Sequence, residues 1–348
     1  MRLFSHISLR RYGLIAALAL IPLAAHGAGE PERVVNVYSH RHYDADREVF
    51  ARFTEETGIE VNVVQAGADE LIQRLLSEGE SSPADLLVTV DAGRLHRAKE
   101  AGVLQAVESD SLAANVPEHL RDPDGTWYGI TKRARVIAYD RTRTDPSGID
   151  TYADLTDPEM ADRVAIRSSS NIYNISLLAA IIHERGEDAA RAWAQGMTEA
   201  FAREPEGNDR DQMKAVVAGV ADYAVVNTYY VGLLQTSSDP AEVEVGERIG
   251  LIFPSLAGDG THVNVSGAGV TAHAPNREEA IELLEYMTAA DAQGYLASAN
   301  YEYPVNPDVP PAELVASWGE LTEARTPLAV LGELGDDATR IFDTVGWR

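Results

Sequence analysis

From Val34 onward the chain alternates short apolar runs with segments of helical periodicity, and this alternation constrains its fold more than any other feature. Val34–Tyr38 reads as a buried strand. Asp46 is placed to cap a helix carrying Val49, Phe50 and Phe53 on one face and ending at Gly58. Ile59–Val64 alternates as a strand, and Leu71, Ile72, Leu75 and Leu76 have helical spacing. Asp85–Val90 is another apolar strand, followed by a helix that Asp91 caps and that ends near Gly102. Such repetition predicts a mostly parallel sheet covered on both faces. The order then breaks: Trp127–Ile130 and Arg135–Tyr139 read as short strands on either side of Lys132-Arg133. It resumes with a strand at Arg163–Arg167 and helices at Ile172–Arg185, Glu187–Phe201 and around Gln212–Val217. Strands at Asp222–Val226, Ile249–Phe253 and Val263–Thr271 follow, then a helix at Glu278–Tyr286. Two α/β lobes joined by crossover strands near 128–140 and 260–271 account for this order. We expect residues 28–130 with 262–305 in the N-terminal lobe and 131–261 with 306–348 in the C-terminal lobe. The cleft between them would lie at the carboxyl ends of the strands, where open sheets bind ligands.

The chain opens with Arg2, Arg10 and Arg11 and no acids, then the apolar run Leu14–Ala25, then small residues. That run is too short for a bilayer crossing of about 20 residues. The pattern is that of a secretory signal peptide, residues 1–27, cut after Gly27. Arg10-Arg11 leaves the general and the twin-arginine export routes both open. The expected address is the periplasm. The net charge is −26, and removing three arginines and no acids with the leader takes it to −29. So acidic a surface repels phosphate backbones and argues against nucleic-acid binding. Lysine is confined to Lys99, Lys132 and Lys214, a balance that suits salty surroundings. There is no cysteine, hence no disulfide, thiolate metal site, cysteine nucleophile or lipid-modified cysteine. No serine-nucleophile elbow, metalloprotease helix, phosphate loop or dinucleotide fingerprint is present, and no carboxylate pair stands out from the acidic background.

The loops that follow the strands carry the chemistry. Ser39-His40-Arg41-His42-Tyr43 follows the first strand. Ser168-Ser169-Ser170-Asn171-Ile172-Tyr173 follows the strand at 163–167, and Asn227-Thr228-Tyr229-Tyr230 the strand at 222–226. Three strand ends thus each deliver tyrosine, beside serines and asparagines that can cap the next helices. Helix starts favour negative charge and so favour an ionised phenol. Phenolate oxygen is hard and anionic; a cluster of phenolates suits a small, highly charged ion, Fe³⁺, as thiolates suit soft metals. A trivalent ion displaces the phenol proton, whose ordinary pKa is near 10, so affinity falls as pH falls. Taken singly, a tyrosine is most often a packing residue. His40 and His42 also fit surface positions or, with Asp44, a zinc site of a hydrolase. Spacing alone leaves ferric binding open against a binding protein for another small ligand, such as an oxyanion or a polyamine.

The segments YSHRHYDAD (38–46), SPADLLVTVDAG (82–93), KRARVIAYD (132–140), RSSSNIYN (167–174), NTYY (227–230), GTHVNVSGAGV (260–270) and EYPVN (302–306) resemble, in order, the periplasmic ferric-iron substrate-binding proteins of bacterial ABC transporters. The resemblance covers nearly all of the mature chain. It implies a two-lobed, transferrin-like (type II) periplasmic binding fold, each lobe a mixed sheet flanked by helices. It also implies a monomer without catalysis that holds Fe³⁺ between the lobes and delivers it to an inner-membrane permease driven by an ATPase. By the same resemblance Tyr43, Tyr173, Tyr229 and Tyr230 are the tyrosine ligands and His42 is the histidine ligand. Arg133 stands where the family has a basic residue beside the metal. There it would hydrogen-bond a phenolate or an anion, or pair with surface acids. His40 departs from the pattern, as a spare ligand or a bystander.

Overall fold

The computed structural model describes residues 33–41 and 43–348. The leader and His42 lie outside the described residues. In chain order the elements are β1 (Val34–Ser39), α1 (Asp44–Thr57), β2 (Glu60–Gln65), α2 (Ala68–Glu78), β3 (Leu86–Val90), α3 (Ala92–Glu100), α4 (Asp110–Asn115) and β4 (Tyr128–Asp140). Then come β5 (Val164–Ala165), α5 (Ile172–Arg185), α6 (Glu187–Ala200), α7 (Asp209–Val217), β6 (Tyr223–Asn227), α8 (Tyr229–Gln235), α9 (Pro240–Arg248) and β7 (Ile249–Ile252). The remainder is β8 (Val263–Val270), α10 (Arg277–Thr288), α11 (Ala290–Ala299), α12 (Glu313–Ala316), α13 (Val330–Glu333) and α14 (Gly335–Val345). No helix among the described residues is long and apolar enough to cross a membrane.

The strands form one sheet in the order β2-β1-β3-β8-β4-β6-β5, with β7 also paired to β4. Its hydrogen bonding is mixed, which corrects the expectation of a mostly parallel sheet. β1 runs parallel to β2 and β3, and β5 parallel to β6. β8 is antiparallel to β3 and β4, and β4 antiparallel to β6 and β7. The antiparallel pairs arise because β4 and β8 are the long connections. β4 pairs with β8 through its first half and with β6 and β7 through its second, so it runs from one part of the sheet into the other.

β4 also corrects the expectation of two short strands. Lys132 and Arg133 do not interrupt it; it is a single strand of 13 residues with an irregularity between Gly129 and Thr131. Alternation puts Thr131, Arg133 and Arg135 on one face, all buried. Polar residues there look like a break when read as sequence, but they line a buried polar site. A second correction concerns Asp46. α1 starts two residues earlier, at Asp44, with Tyr43 as its capping position and no side-chain cap. Gly58 does end the helix, in the left-handed conformation with φ 74°. Asp91 does cap α3, its side chain accepting from Gly93 N. The core beneath is aliphatic, with Leu86, Leu87 and Val88 of β3 and Val136, Ile137 and Ala138 of β4 all inaccessible.

Candidate metal centre

The carboxyl ends of β1 and β6 and the start of α5, just beyond β5, bring the tyrosines together. Tyr173 is the second residue of α5, whose first turn is fixed by Asn171 accepting from Tyr173 N at 3.1 Å. Tyr229 and Tyr230 open α8 directly after β6. The Tyr173 and Tyr229 hydroxyls lie 3.3 Å apart, and the Tyr229 and Tyr230 rings are 4.2 Å between centroids. Tyr43 joins them from the end of the β1 loop, close enough for charge on Tyr173 to disfavour ionisation of its phenol. Tyr229 is in turn sensitive to charge on Tyr173, Tyr43 and Tyr230. Four phenols from three separate stretches of chain therefore form one electrostatic group.

Burial dominates their acidity. It pushes Tyr43 up to about 12, with the Glu302 carboxylate adding to the rise and Arg41 opposing it. Burial likewise raises Tyr229 and Tyr230 well above the usual phenol range, with Tyr173 next among the causes. A hydrogen bond from Tyr229 and the charge of Arg167 ease Tyr230 only in part. The expectation that helix starts favour ionised phenols is thus outweighed: without a cation, Tyr43, Tyr229 and Tyr230 are neutral.

Guanidinium groups surround the cluster. Arg133, Arg135 and Arg167 stand 5.6, 5.8 and 5.6 Å from the Tyr173 ring centroid. Asp209 holds two of them: Arg135 Nη1 donates to one oxygen, and Arg167 Nη1 to the other at 2.9 Å. Arg135 Nη2 also donates to Asn174 Oδ1 at 2.8 Å. Arg133 differs from both. It is 2% exposed, yet neither Nη1 nor Nη2 has a hydrogen-bond partner among the described residues. Its nearest carboxylate oxygen, Asp91 Oδ2, is 4.0 Å from Nη2. A buried cation left this open is costly to stability, and such groups cluster at functional sites.

On the Tyr43 side, Arg41 is inaccessible and paired with two carboxylates. It contacts Asp46 at 3.0 Å, Thr131 Oγ1 at 2.9 Å and Glu302 Oε2 at 3.3 Å. Its guanidinium carbon lies 4.7 Å from the Tyr43 ring centroid. The sequence pattern did not single out Arg41, Glu302, Arg135, Arg167 or Asp209. All but Asp209 stand in or beside a tyrosine-bearing segment, but their partners are up to 261 residues away. His40 is half-buried at the end of β1, its N–H donating to Val88 O at 2.8 Å. Asp44 points into solvent beside Arg47, away from any shared site. Among the described residues no three His, Cys, Asp or Glu gather where they could hold a metal.

The fold and this cluster together define a binding protein with its site at strand ends. A family profile described as "Bacterial extracellular solute-binding protein" matches residues 81–321, and the chain belongs to that family. It is 50% identical over 317 residues to "Iron uptake protein A1" of Synechocystis sp., covering 91% of this chain and 88% of that one. The solved structure "Trichodesmium (IdiA) (FutA) in complex with iron and citrate ligands" superposes with a TM-score of 0.88 at 46% identity, over 90% of this chain and all of that one. "Apo FutA2 from Synechocystis PCC6803" gives a TM-score of 0.87 at 47% identity, over 91% and 100%. The architecture is thereby that of the type II periplasmic binding proteins, as the resemblance implied.

Proposed function

We propose that this chain is an exported carrier of ferric iron, with Tyr43, Tyr173, Tyr229 and Tyr230 as tyrosinate ligands. The observation that carries the reading is the convergence of the four phenols beside a buried arginine with unused donors. Its relatives, an iron uptake protein and an iron-bound structure, support the choice of metal. Four tyrosinates around a trivalent ion leave a net charge of −1, which Arg133 offsets at close range. His42, next to Tyr43, is the further ligand. As a neutral imidazole it adds no charge.

Binding proceeds by proton displacement. Tyr43, Tyr229 and Tyr230 are neutral at pH 7, because burial holds their protons on. Each must lose its proton to bond the metal, so at least three protons leave per ion. Apparent affinity then falls about tenfold per displaced proton for each unit drop in pH. Protonation and reduction to the softer, less charged ferrous ion are the two ways to unload it.

The rest of the reading follows the family. Residues 28–130 with 262–305 form one lobe and residues 131–261 with 306–348 the other, with β4 and β8 as the crossover strands between them. The leader is cut after Gly27, and the mature protein works in the periplasm as a monomer. It binds rather than catalyses, and passes iron to an inner-membrane ABC permease and its ATPase. Titration of the purified protein with Fe³⁺, followed by visible absorption, tests this. A phenolate-to-iron charge-transfer band growing to one equivalent is expected; a colourless titration overturns the reading.

A further inference from the structure

Asp91, in the VTVDAG segment, is not a tyrosine neighbour in sequence, and its backbone is strained. It has φ 82° and ψ 123°, a region that residues with a side chain rarely enter. Strain of that kind persists where the surroundings over-determine it, and here every polar atom of the residue is tied. Its N–H donates to Val265 O at 2.8 Å. Oδ1 accepts from Gly93 N at 2.9 Å and from Ser176 Oγ at 2.8 Å, and Oδ2 accepts from Asn264 Nδ2 at 2.9 Å. The side chain is inaccessible to solvent. Gly93 lets the carboxylate sit this close, since a Cβ there would lie 3.1 Å from Oδ1.

The partners come from different parts of the molecule. Asp91 and Gly93 belong to the β3–α3 junction, Asn264 to the crossover strand β8, and Ser176 to α5. Ser176 is one turn after Tyr173, so a bond to Ser176 fixes the helix that carries that phenol. Oδ2 is also the carboxylate oxygen nearest to Arg133, at 4.0 Å from Nη2, while the same guanidinium stands 5.6 Å over the Tyr173 ring. One carboxylate thus touches the helix bearing a proposed ligand and faces the only charge on Arg133.

We propose that Asp91 is a positioning residue for the ferric site. It sets the Arg133 guanidinium against Tyr173 and, through Ser176, ties α5 to the β3–α3 junction, so that the arginine and the phenol keep a fixed relation when the metal arrives. This rests on the ferric reading above.

Asp91→Gly is the informative variant, because glycine adopts this backbone without strain, so a loss is traced to the carboxylate and not to the backbone. Fe³⁺ is supplied as its nitrilotriacetate complex to the full mature chain, and affinity and the charge-transfer maximum are read together. The expected result is an affinity lower by about 10- to 100-fold, the range for groups that orient metal ligands, with a displaced band maximum and an unchanged circular-dichroism spectrum. In an Arg133→Gln background the same substitution should cost much less, because its effect acts through that arginine. Ser176→Ala should weaken binding with less movement of the band, since Arg133 keeps its carboxylate. No band in the unaltered protein would bring down the ferric reading and this inference with it. A normal band that Asp91→Gly leaves unmoved at unchanged affinity, or losses that simply add to those of Arg133→Gln, would overturn the role of Asp91 alone.

Discussion

The two sides of the tyrosine cluster are built on opposite electrostatic plans. Around Tyr43 a single guanidinium, Arg41, is shared by two carboxylates, Asp46 at 3.0 Å and Glu302 at 3.3 Å. Around Tyr173 stand three guanidiniums, two of them sharing Asp209 and the third, Arg133, without a hydrogen-bond partner on either Nη. The first side is a closed ion network that shapes a loop, and its excess negative charge opposes ionisation of Tyr43. The second holds positive charge in reserve where three phenolates would form. Equal burial therefore does not mean equal function: a buried arginine closely paired with two carboxylates is structural, and one with no carboxylate nearer than 4.0 Å faces a charge yet to come.

The largest expected effect breaks the comparison at the phenols. Tyr173→Phe, Tyr229→Phe and Tyr230→Phe keep the packed ring and remove the ionisable oxygen. Each should weaken Fe³⁺ binding by more than about 100-fold, above the range seen for supporting partners, with little change in melting temperature. Tyr43→Phe should cost less, because the guanidinium beside that phenol, Arg41, is already shared by Asp46 and Glu302. Competition against nitrilotriacetate, read at the visible band, ranks the four. A ranking with Tyr43 first would mean that the reserve of positive charge near Tyr173 does not matter.

Next come the two arginines themselves. Arg41→Gln leaves Asp46 and Glu302 buried without their cation and should destabilise the fold by about 3–5 kcal/mol, measured by denaturant unfolding of the metal-free protein. Arg133→Gln should leave stability nearly unchanged and lower iron affinity by about 10- to 100-fold. The two substitutions are the same chemistry in similar burial, so exchange of the two outcomes would reverse the assignment of structural and functional roles.

A smaller effect sharpens the picture of the positive side. His262, inaccessible on the approach to β8, is held down to about 3 by burial and by the charges of Arg135 and Arg133. A depressed folded-state pKa stabilises the protein above the unfolded value near 6.5, and that stabilisation is lost as pH falls from there toward 3. In that window the unfolded chain takes a proton the native protein refuses, and stability falls by about 1.4 kcal/mol per pH unit. His262→Phe should flatten this acid limb in unfolding experiments between pH 6 and 4. An unchanged slope would show that His262 is not held neutral in the folded protein.

The tyrosines were legible in the sequence because each follows a strand, and ligands bind beyond the carboxyl ends of strands in open α/β sheets. That β1 and β6 run in opposite directions, on either side of the long strands β8 and β4, was not. The networks behind them were not legible. Glu302 reaches Arg41 across 261 residues, and Asp209 serves Arg135 and Arg167 from a different helix. Contacts of that kind leave no local period or spacing. β4 was misread as two strands for a related reason: Arg133 and Arg135 are polar, and their burial follows from the site they face rather than from their own character. Asp46 was misread as a cap because its carboxylate is taken by Arg41.

The smallest effect belongs to His42, which precedes Tyr43 in the sequence. As a neutral ligand its ring would do nothing to neutralise a trivalent ion; it would add one donor to a set in which the proposed phenolates supply the electrostatic attraction. His42→Ala should therefore cost less than about tenfold in affinity, roughly one displaced water's worth of coordination, or about 1.4 kcal/mol. The charge-transfer band should persist with a modest shift, because the phenolates that give rise to it remain. A loss as large as that of Tyr173→Phe would place the decisive contact in the loop after β1. The acidic side would then matter as much as the side with arginine to spare.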